Sequence, residues 1–140
     1  MKKINAKTSS RKYPILIKPD IIKDATGLIE NNFRDAEKII FVTNDVLEDL
    51  YGDMIKQFLQ SVPYQSRMLV IKDGEDQKNL ENADLAYSMM IENNMHRNDL
   101  VISFGGGVIG DLAGFIASTF HRGLKLLHMP TTIIGQVDSS

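Results

Sequence analysis

The chain has 140 residues, 43% of them hydrophobic and 24% charged, with sixteen basic and eighteen acidic side chains that leave a net charge of -2. That is enough apolar material for one domain with a buried core, and too little net charge for a nucleic-acid or membrane-surface footprint. With no cysteine in the chain, a disulfide framework and a thiolate metal site are both excluded, whereas a small or anionic ligand stays open.

Residues 1–12 carry five basic side chains, but no apolar run of signal-peptide length follows before Pro14 and Pro19 interrupt the pattern. No stretch approaches the roughly 18 consecutive apolar residues of a spanning helix. The expectation is a soluble, cytoplasmic protein that binds neither nucleic acid nor membrane. Residues 13–17 form a short apolar run closed by Lys18-Pro19-Asp20, which reads as a strand ending in a turn. Four similar runs follow: residues 38–43 (KIIFVT), 68–71 (MLVI), 100–104 (LVISF) and 124–129 (LKLLHM).

Helical spacing separates these runs. Leu80, Ala83, Ala86, Tyr87, Met90 and Ile91 fall on one helical face, and Tyr87, Met89 and Met90 read as core. Asp45 is expected to cap a helix running from Val46, with Glu48 reaching back and Gly52 interrupting or ending its first part. Strands alternating with helices imply an α/β, Rossmann-like fold, a largely parallel sheet with helices on both faces, and ligands at the carboxyl ends of the strands. Three such ends lead into suggestive loops: Thr43-Asn44-Asp45, Lys72-Asp73-Gly74-Glu75, and a glycine cluster. They are expected to share one rim. No repeat, low-complexity tract or linker divides the chain, so residues 1–140 read as one unit. Residues 130–140 open a further helix or loop with no stop signal, which is the pattern of a piece of a longer protein.

The run at residues 100–104 passes into Gly105-Gly106-Gly107-Val108-Ile109-Gly110-Asp111 and then into Leu112-Ala113-Gly114-Phe115-Ile116-Ala117, a strand, glycine loop and helix. Gly105, Gly107 and Gly110 match G-x-G-x-x-G, in which glycines free backbone amides to meet a diphosphate at a helix N-terminus. A glycine-rich turn that only lets helix and strand pack closely has the same spacing. Two features depart from the common dinucleotide fingerprint. The motif follows the fourth strand rather than the first, and the next strand ends in Pro130-Thr131-Thr132 with no acidic residue for a ribose. Asp45, Asp73 and Glu75 are then the candidate ribose carboxylates. Asp111 suits the positive end of the helix dipole, as a ligand group or as a first-turn stabiliser.

The run from Gly105 to Phe115 (GGGVIGDLAGF), followed by Arg122-Gly123, Pro130-Thr131-Thr132 and Gln136-Val137-Asp138-Ser139-Ser140, resembles the signature of the 3-dehydroquinate synthase family. Asp73-Gly74-Glu75 with Lys78 fits the same family, in the same order, and the resemblance covers residues 13–140 as an amino-terminal half. It implies a shikimate-pathway lyase, acting in aromatic amino acid biosynthesis, that converts 3-deoxy-D-arabino-heptulosonate 7-phosphate into 3-dehydroquinate and phosphate. The implied cofactors are a bound NAD, returned unchanged, and zinc or cobalt.

Residue by residue, the resemblance makes Asp73, Gly74, Glu75 and Lys78 a first NAD-contacting loop, with Glu75 on ribose hydroxyls. Gly106, Gly107, Val108, Ile109, Gly110 and Asp111 become the diphosphate and nicotinamide-ribose loop. Thr131 and Thr132 become hydrogen-bonding partners of the cofactor, and Asn44 and Asp45 fall near its adenosine end. Asp138 lies at the substrate, a phosphorylated sugar acid, and Arg122 reaches the substrate phosphate from the neighbouring subunit of a homodimer.

The family's metal ligands, one Glu and two His on a carboxy-terminal helical domain, have no counterpart in this chain. No residue here is expected to be catalytic or to bind metal, the chain by itself is expected to be inactive, and His96, His121 and His128 read as structural. Other readings are a related sugar-phosphate cyclase such as 2-deoxy-scyllo-inosose synthase, a more distant iron-type dehydrogenase, and a non-enzymatic nucleotide-binding module.

Overall fold

A computed structural model describes residues 1–138. The chain opens with a two-stranded antiparallel hairpin, β1 (Lys2–Lys7) and β2 (Lys12–Ile17), in which Ile4 faces Ile15 and Ala6 faces Tyr13. The sequence pattern identifies β2 but misses β1, whose lysine-rich KKINAK has no apolar alternation. The hairpin stands apart from the main sheet.

After α1 (Ala25–Asn32) come β3 (Lys38–Asn44), α2 (Asp45–Ser61), β4 (Gln65–Ile71), α3 (Leu80–Glu92), β5 (Leu100–Gly105), α4 (Gly107–Thr119), β6 (Lys125–Pro130) and the short α5 (Ile133–Val137). The four later strands form a wholly parallel sheet in the order β4-β3-β5-β6. This bears out the expected α/β architecture. Helix α2 runs unbroken through Gly52, and its cap is Asn44, not Asp45: the Asn44 side chain accepts from the Leu47 amide at 2.9 Å. The other residues of this 17-residue amphipathic helix outweigh the roughly 1 kcal/mol cost of one glycine.

Strand alternation sorts the core into two layers. On β3, Ile40 and Val42 pack with Ala83, Ala86 and Met90 of α3 and with Leu112, Ala113 and Ile116 of α4. Their neighbours Ile39 and Phe41 pack on the opposite face with Ile29 of α1 and with Ile55 and Phe58 of α2. Helices therefore cover both faces, and strands apolar on both sides read as continuous runs rather than alternating ones. On β5, Leu100, Ile102 and Phe104 face α1 and α2 while Val101 faces α4. By the same period of two, Ser103 and Gly105 share the α4 side.

Phe41 is fully buried, with its ring centroid 6.1 Å from that of Phe58 and 5.8 Å from that of Phe104. Phe41→Ala is expected to lower stability by about 3–5 kcal/mol in urea denaturation, whereas Leu80→Ala, at an exposed position, should change it by less than about 0.5 kcal/mol.

Candidate functional site

Because every pairing in the main sheet is parallel, the strands end at Asn44, Ile71, Gly105 and Pro130 along one edge. The β3–β5 ladder closes at Val42 opposite Ser103, and one residue further the buried Thr43 hydroxyl donates to the Phe104 carbonyl at 2.9 Å. From there the chain leaves β3 toward β4 and leaves β5 toward β6, on opposite sides. Such a reversal of strand order opens a crevice, here flanked by Asn44-Asp45 and Gly105-Gly106.

The glycine loop forms one wall of the crevice. The Gly105 carbonyl accepts from the Thr131 amide at 3.0 Å, and α4 starts two residues on, capped by Gly106 with no side-chain hydrogen bond at the cap. A Cβ at Gly105 would lie 2.6 Å from the Ile109 Cβ, so only glycine lets the helix seat this close to the strand. At Gly107 the same addition meets nothing within 4 Å: the space over the first helical residue is open. The Gly110 amide donates to the Gly106 carbonyl at 3.0 Å. This corrects the expectation that the glycines at 105, 107 and 110 alike release amides. Gly105 acts by lacking a side chain, Gly110 is bonded within the helix, and the amides without intrahelical partners are those of residues 106–109. Asp111 likewise falls beyond the first turn of α4, which carries no acidic residue, and is not a first-turn stabiliser.

Asp111 engages Lys78 instead. The Lys78 ammonium lies 2.6 Å from a Glu75 oxygen and 2.9 Å from an Asp111 oxygen, which ties the loop after β4 to α4. These two charge-assisted hydrogen bonds, Glu75's first, push the Lys78 pKa up to about 12. Nearby, the Asn44 amide group donates to Asp73 at 2.7 Å, and one Asp45 oxygen accepts from the Asp73 and Val46 amides, each at 2.9 Å. The three loops thus form the expected shared rim. Asn44 and Asp45 are occupied in holding it, while the Glu75 side chain is 75% exposed.

Behind the glycine loop lies a narrow cavity of about 20 Å³ lined by Ser103, Gly106, Gly110, His128, Pro130 and Asp138. It has room for a water, not a phosphate, so an anion on the loop would have to lie over Gly107, on the open side. Thr132 caps α5, its side-chain oxygen accepting from the Gly135 amide at 3.0 Å, and its methyl would meet a Cβ at Gly106 at 3.2 Å. Thr131 and Thr132 therefore stand directly behind the loop. Ser139 and Ser140 of the signature lie outside the described residues.

His128 lies in a strand, as the sequence pattern has it, but its partner there was not legible in the sequence. Register sets it opposite Ser103, and Ser103 Oγ lies 2.7 Å from His128 Nδ1. Burial pushes the imidazole pKa below its usual 6.5, against an opposing pull from Asp111. The signal was present in the sequence as two polar residues on one face of adjacent apolar strands, each two positions before the strand's last residue. It becomes readable only once the two strands are aligned.

Arg122 is not brought to this rim. It precedes β6, at the opposite end of the sheet, in an open groove with His96, Arg97, Asn98 and His121. Among the described residues no three His, Asp or Glu side chains gather into a metal site, and no helix is long and apolar enough to cross a membrane.

A family model described as 3-dehydroquinate synthase N-terminal matches residues 68–140, just over half of the chain. A curated 3-dehydroquinate synthase of Dehalococcoides mccartyi is 38% identical over 140 residues, covering all of this chain and 39% of the relative. One of Vibrio atlanticus is 39% identical over the same length and is covered to 38%. The chain thus spans under half the length of these relatives. Among solved structures, a 2-deoxy-scyllo-inosose synthase complexed with carbaglucose-6-phosphate, NAD+ and Co2+ superposes with a TM-score of 0.85 at 19% identity, covering 99% of this chain and 38% of that one. A 2-epi-5-epi-valiolone synthase from Streptomyces hygroscopicus, with NAD+ and Zn2+ bound, gives 0.77 at 22%, covering 95% and 36%. These two likenesses establish the fold.

Two outcomes test the local geometry. Gly105→Ala should cost about 1–3 kcal/mol, because its methyl collides with Ile109. For His128, the unfolded chain takes up the proton first as pH falls, so stability should decline below pH 6.5, and His128→Gln should flatten that decline in a series of thermal melts.

Proposed function

The chain belongs to the 3-dehydroquinate synthase family, and from that premise we propose that it is the NAD-binding part of an enzyme that turns 3-deoxy-D-arabino-heptulosonate 7-phosphate into 3-dehydroquinate and phosphate. The observation that carries the reading is the open space over Gly107 at the start of α4, beside unpartnered first-turn amides, because such a cradle fits a diphosphate. The curated relatives at 38–39% identity bear this enzyme's name, whereas the inosose and valiolone cyclases resemble the chain at 19–22%. That difference favours this substrate over theirs.

The chain's own residues take distinct parts. The amides of Gly106, Gly107, Val108 and Ile109 hold the diphosphate, and the Thr132 hydroxyl, whose oxygen already accepts from Gly135, is left its proton to donate. Glu75, well exposed on the rim, accepts from ribose hydroxyls, while Lys78 fixes its position and that of Asp111. Asp73, held by Asn44, shapes the adenosine end, with Gly74 leading into the turn that presents Glu75. Asp138 lines the cleft behind the loop, on the side assigned to the substrate. When bound, NAD supplies reversible hydride transfer, so that a substrate hydroxyl is oxidised and later restored.

Zinc or cobalt belongs to the same reading, but the described residues offer it no ligand set; residues 1–140 constitute the dinucleotide domain, and metal chemistry is assigned to a further domain. Arg122, remote from its own rim, fits a homodimer in which it serves the neighbouring subunit. A cytoplasmic setting suits an enzyme of aromatic amino acid biosynthesis.

The test is thermal stabilisation of the chain by NAD. At about ten times Kd, the shift should correspond to about 1.4 kcal/mol, some 3–5 °C. NADP should not act, because its 2′-phosphate would meet the Glu75 carboxylate. Gly107→Ala should keep the ligand-free Tm, since alanine is the better helix former, yet abolish the NAD shift by filling the open space. Glu75→Ala and Asp111→Ala should each weaken NAD at least about tenfold. An absent NAD shift with the fold intact would sink the reading.

A further inference from the structure

His128 of β6 is a half-buried titratable side chain that touches the glycine loop and has no part in the dinucleotide site described above. It lines the narrow cavity behind the loop together with Ser103, Gly106, Gly107 and Gly110. The first turns of α4 rest on the ring, because a Cβ at Gly110 would lie 3.7 Å from His128 Nδ1 and 3.8 Å from Cε1. Imidazole and helix start are therefore in contact. Over Gly107, on the other side of the same backbone, the space is open, so one layer of peptide separates the ring from an anion bound there.

The ring can change charge in place. Ser103 Oγ lies 2.7 Å from Nδ1, and a hydroxyl can donate to a neutral ring nitrogen or accept from a charged one, so the pair survives either protonation state. The other ring nitrogen makes no bond to the protein, yet among the described residues no polar side-chain atom is buried without a partner. It therefore meets open space, from which a proton can enter. Without an anion the ring is held neutral: burial outweighs the pull of Asp111, and the positive end of the α4 dipole acts in the same direction. An anion over Gly107 would oppose both.

Few other cations can answer a diphosphate here. Along the rim they are Lys72 and Lys78. Lys78 is paired with Glu75 and Asp111, and Lys72 follows β4, two strands from β5, about 10 Å away. Asp138 lines the cavity as a further carboxylate. We infer that His128 is the counter-charge of the anion site: its imidazole takes up a proton from solvent when a diphosphate lies over Gly107, and returns it when the diphosphate leaves. For the identity of the anion this rests on the function proposed above. The linkage between proton and anion does not.

The experiment is NMR of the histidine Cε1–H signals of the whole chain, titrated between about pH 5.5 and pH 8 with and without saturating NAD. Carboxylates and lysines ordinarily titrate outside this window. NAD should carry the His128 titration to higher pH and leave those of His96 and His121, at the opposite end of the sheet, where they were. By reciprocity NAD should bind about threefold more tightly at the acid end of the range than at the alkaline end. His128→Gln, which keeps a partner for Ser103 but takes no proton, should abolish that dependence; should the variant not fold, the ring titration decides. A His128 titration unmoved while the amides of residues 106–111 respond to NAD overturns the inference. So does an equal movement of all three histidines, or a His128→Gln variant that keeps the pH dependence. If NAD leaves residues 106–111 unmoved, the proposed function falls, and sulfate against chloride at equal ionic strength tests the linkage by itself. A His128 titration raised by sulfate upholds it, and one indifferent to sulfate overturns it.

Discussion

The site depends on how closely α4 sits on β5. Ile109 occupies the place where a side chain on Gly105 would be, so the helix begins at the sheet edge rather than a turn beyond it. The positive end of its dipole and its unpartnered amides are thereby fixed at the point where strand order reverses. Any residue larger than glycine at 105 would lift the helix start, and the amides of residues 106–109 would leave the crevice mouth. Packing and ligand geometry are the same constraint here, seen from the two sides of one backbone.

Charge is divided along the rim in a way that suits a dinucleotide. Over Gly107 there are only backbone dipoles and open space, the environment of an anion. A loop away, Lys78 is paired with both Glu75 and Asp111, so two carboxylates share one ammonium, and the local balance is negative. Such a place repels phosphate and welcomes hydroxyls. Lys78 holds its proton because both partners favour the charged form, and with its pKa near 12 it remains a fixed cross-tie throughout the neutral range. It is a strut between α4 and the loop after β4, and the Glu75 side chain that it holds remains 75% exposed.

Much of this was legible in the sequence, and the gaps have physical causes. Strands β3 and β5 announced themselves because, buried on both faces, they are apolar at nearly every position, and the edge strands β4 and β6 were marked by the shorter apolar runs within them. The hairpin strand β1 did not, since its exposed lysines carry no core pattern. The shared rim followed from strand ends alone. What the spacing could not resolve was which glycine does what: G-x-G-x-x-G treats 105, 107 and 110 as equals, yet one is forced by a neighbour's Cβ, one keeps space open and one is bonded within its helix. Capping misled for a similar reason, because Asn44 and Asp45 are both good caps and only the strand's length decides between them. His128 needed the register of two strands to acquire Ser103 as its partner.

The register that gathers the carboxyl ends of the strands also gathers their amino ends. A parallel sheet has two poles: in this chain acidic residues and bare amides line one, while the other mixes His96, Arg97, His121 and Arg122 with Asp35, which lies 3.8 Å from Lys125. Asp99, on the loop into β5, is consumed by three backbone amides, and His121 and Arg122, on the loop into β6, occupy left-handed backbone conformations. The turn that carries them is fixed by contacts of its own: Phe120 stacks on Tyr87 and the Leu124 amide bonds the Ala117 carbonyl at 2.7 Å, so the left-handed dihedrals are set by the packing of Phe120 and Leu124 against the core.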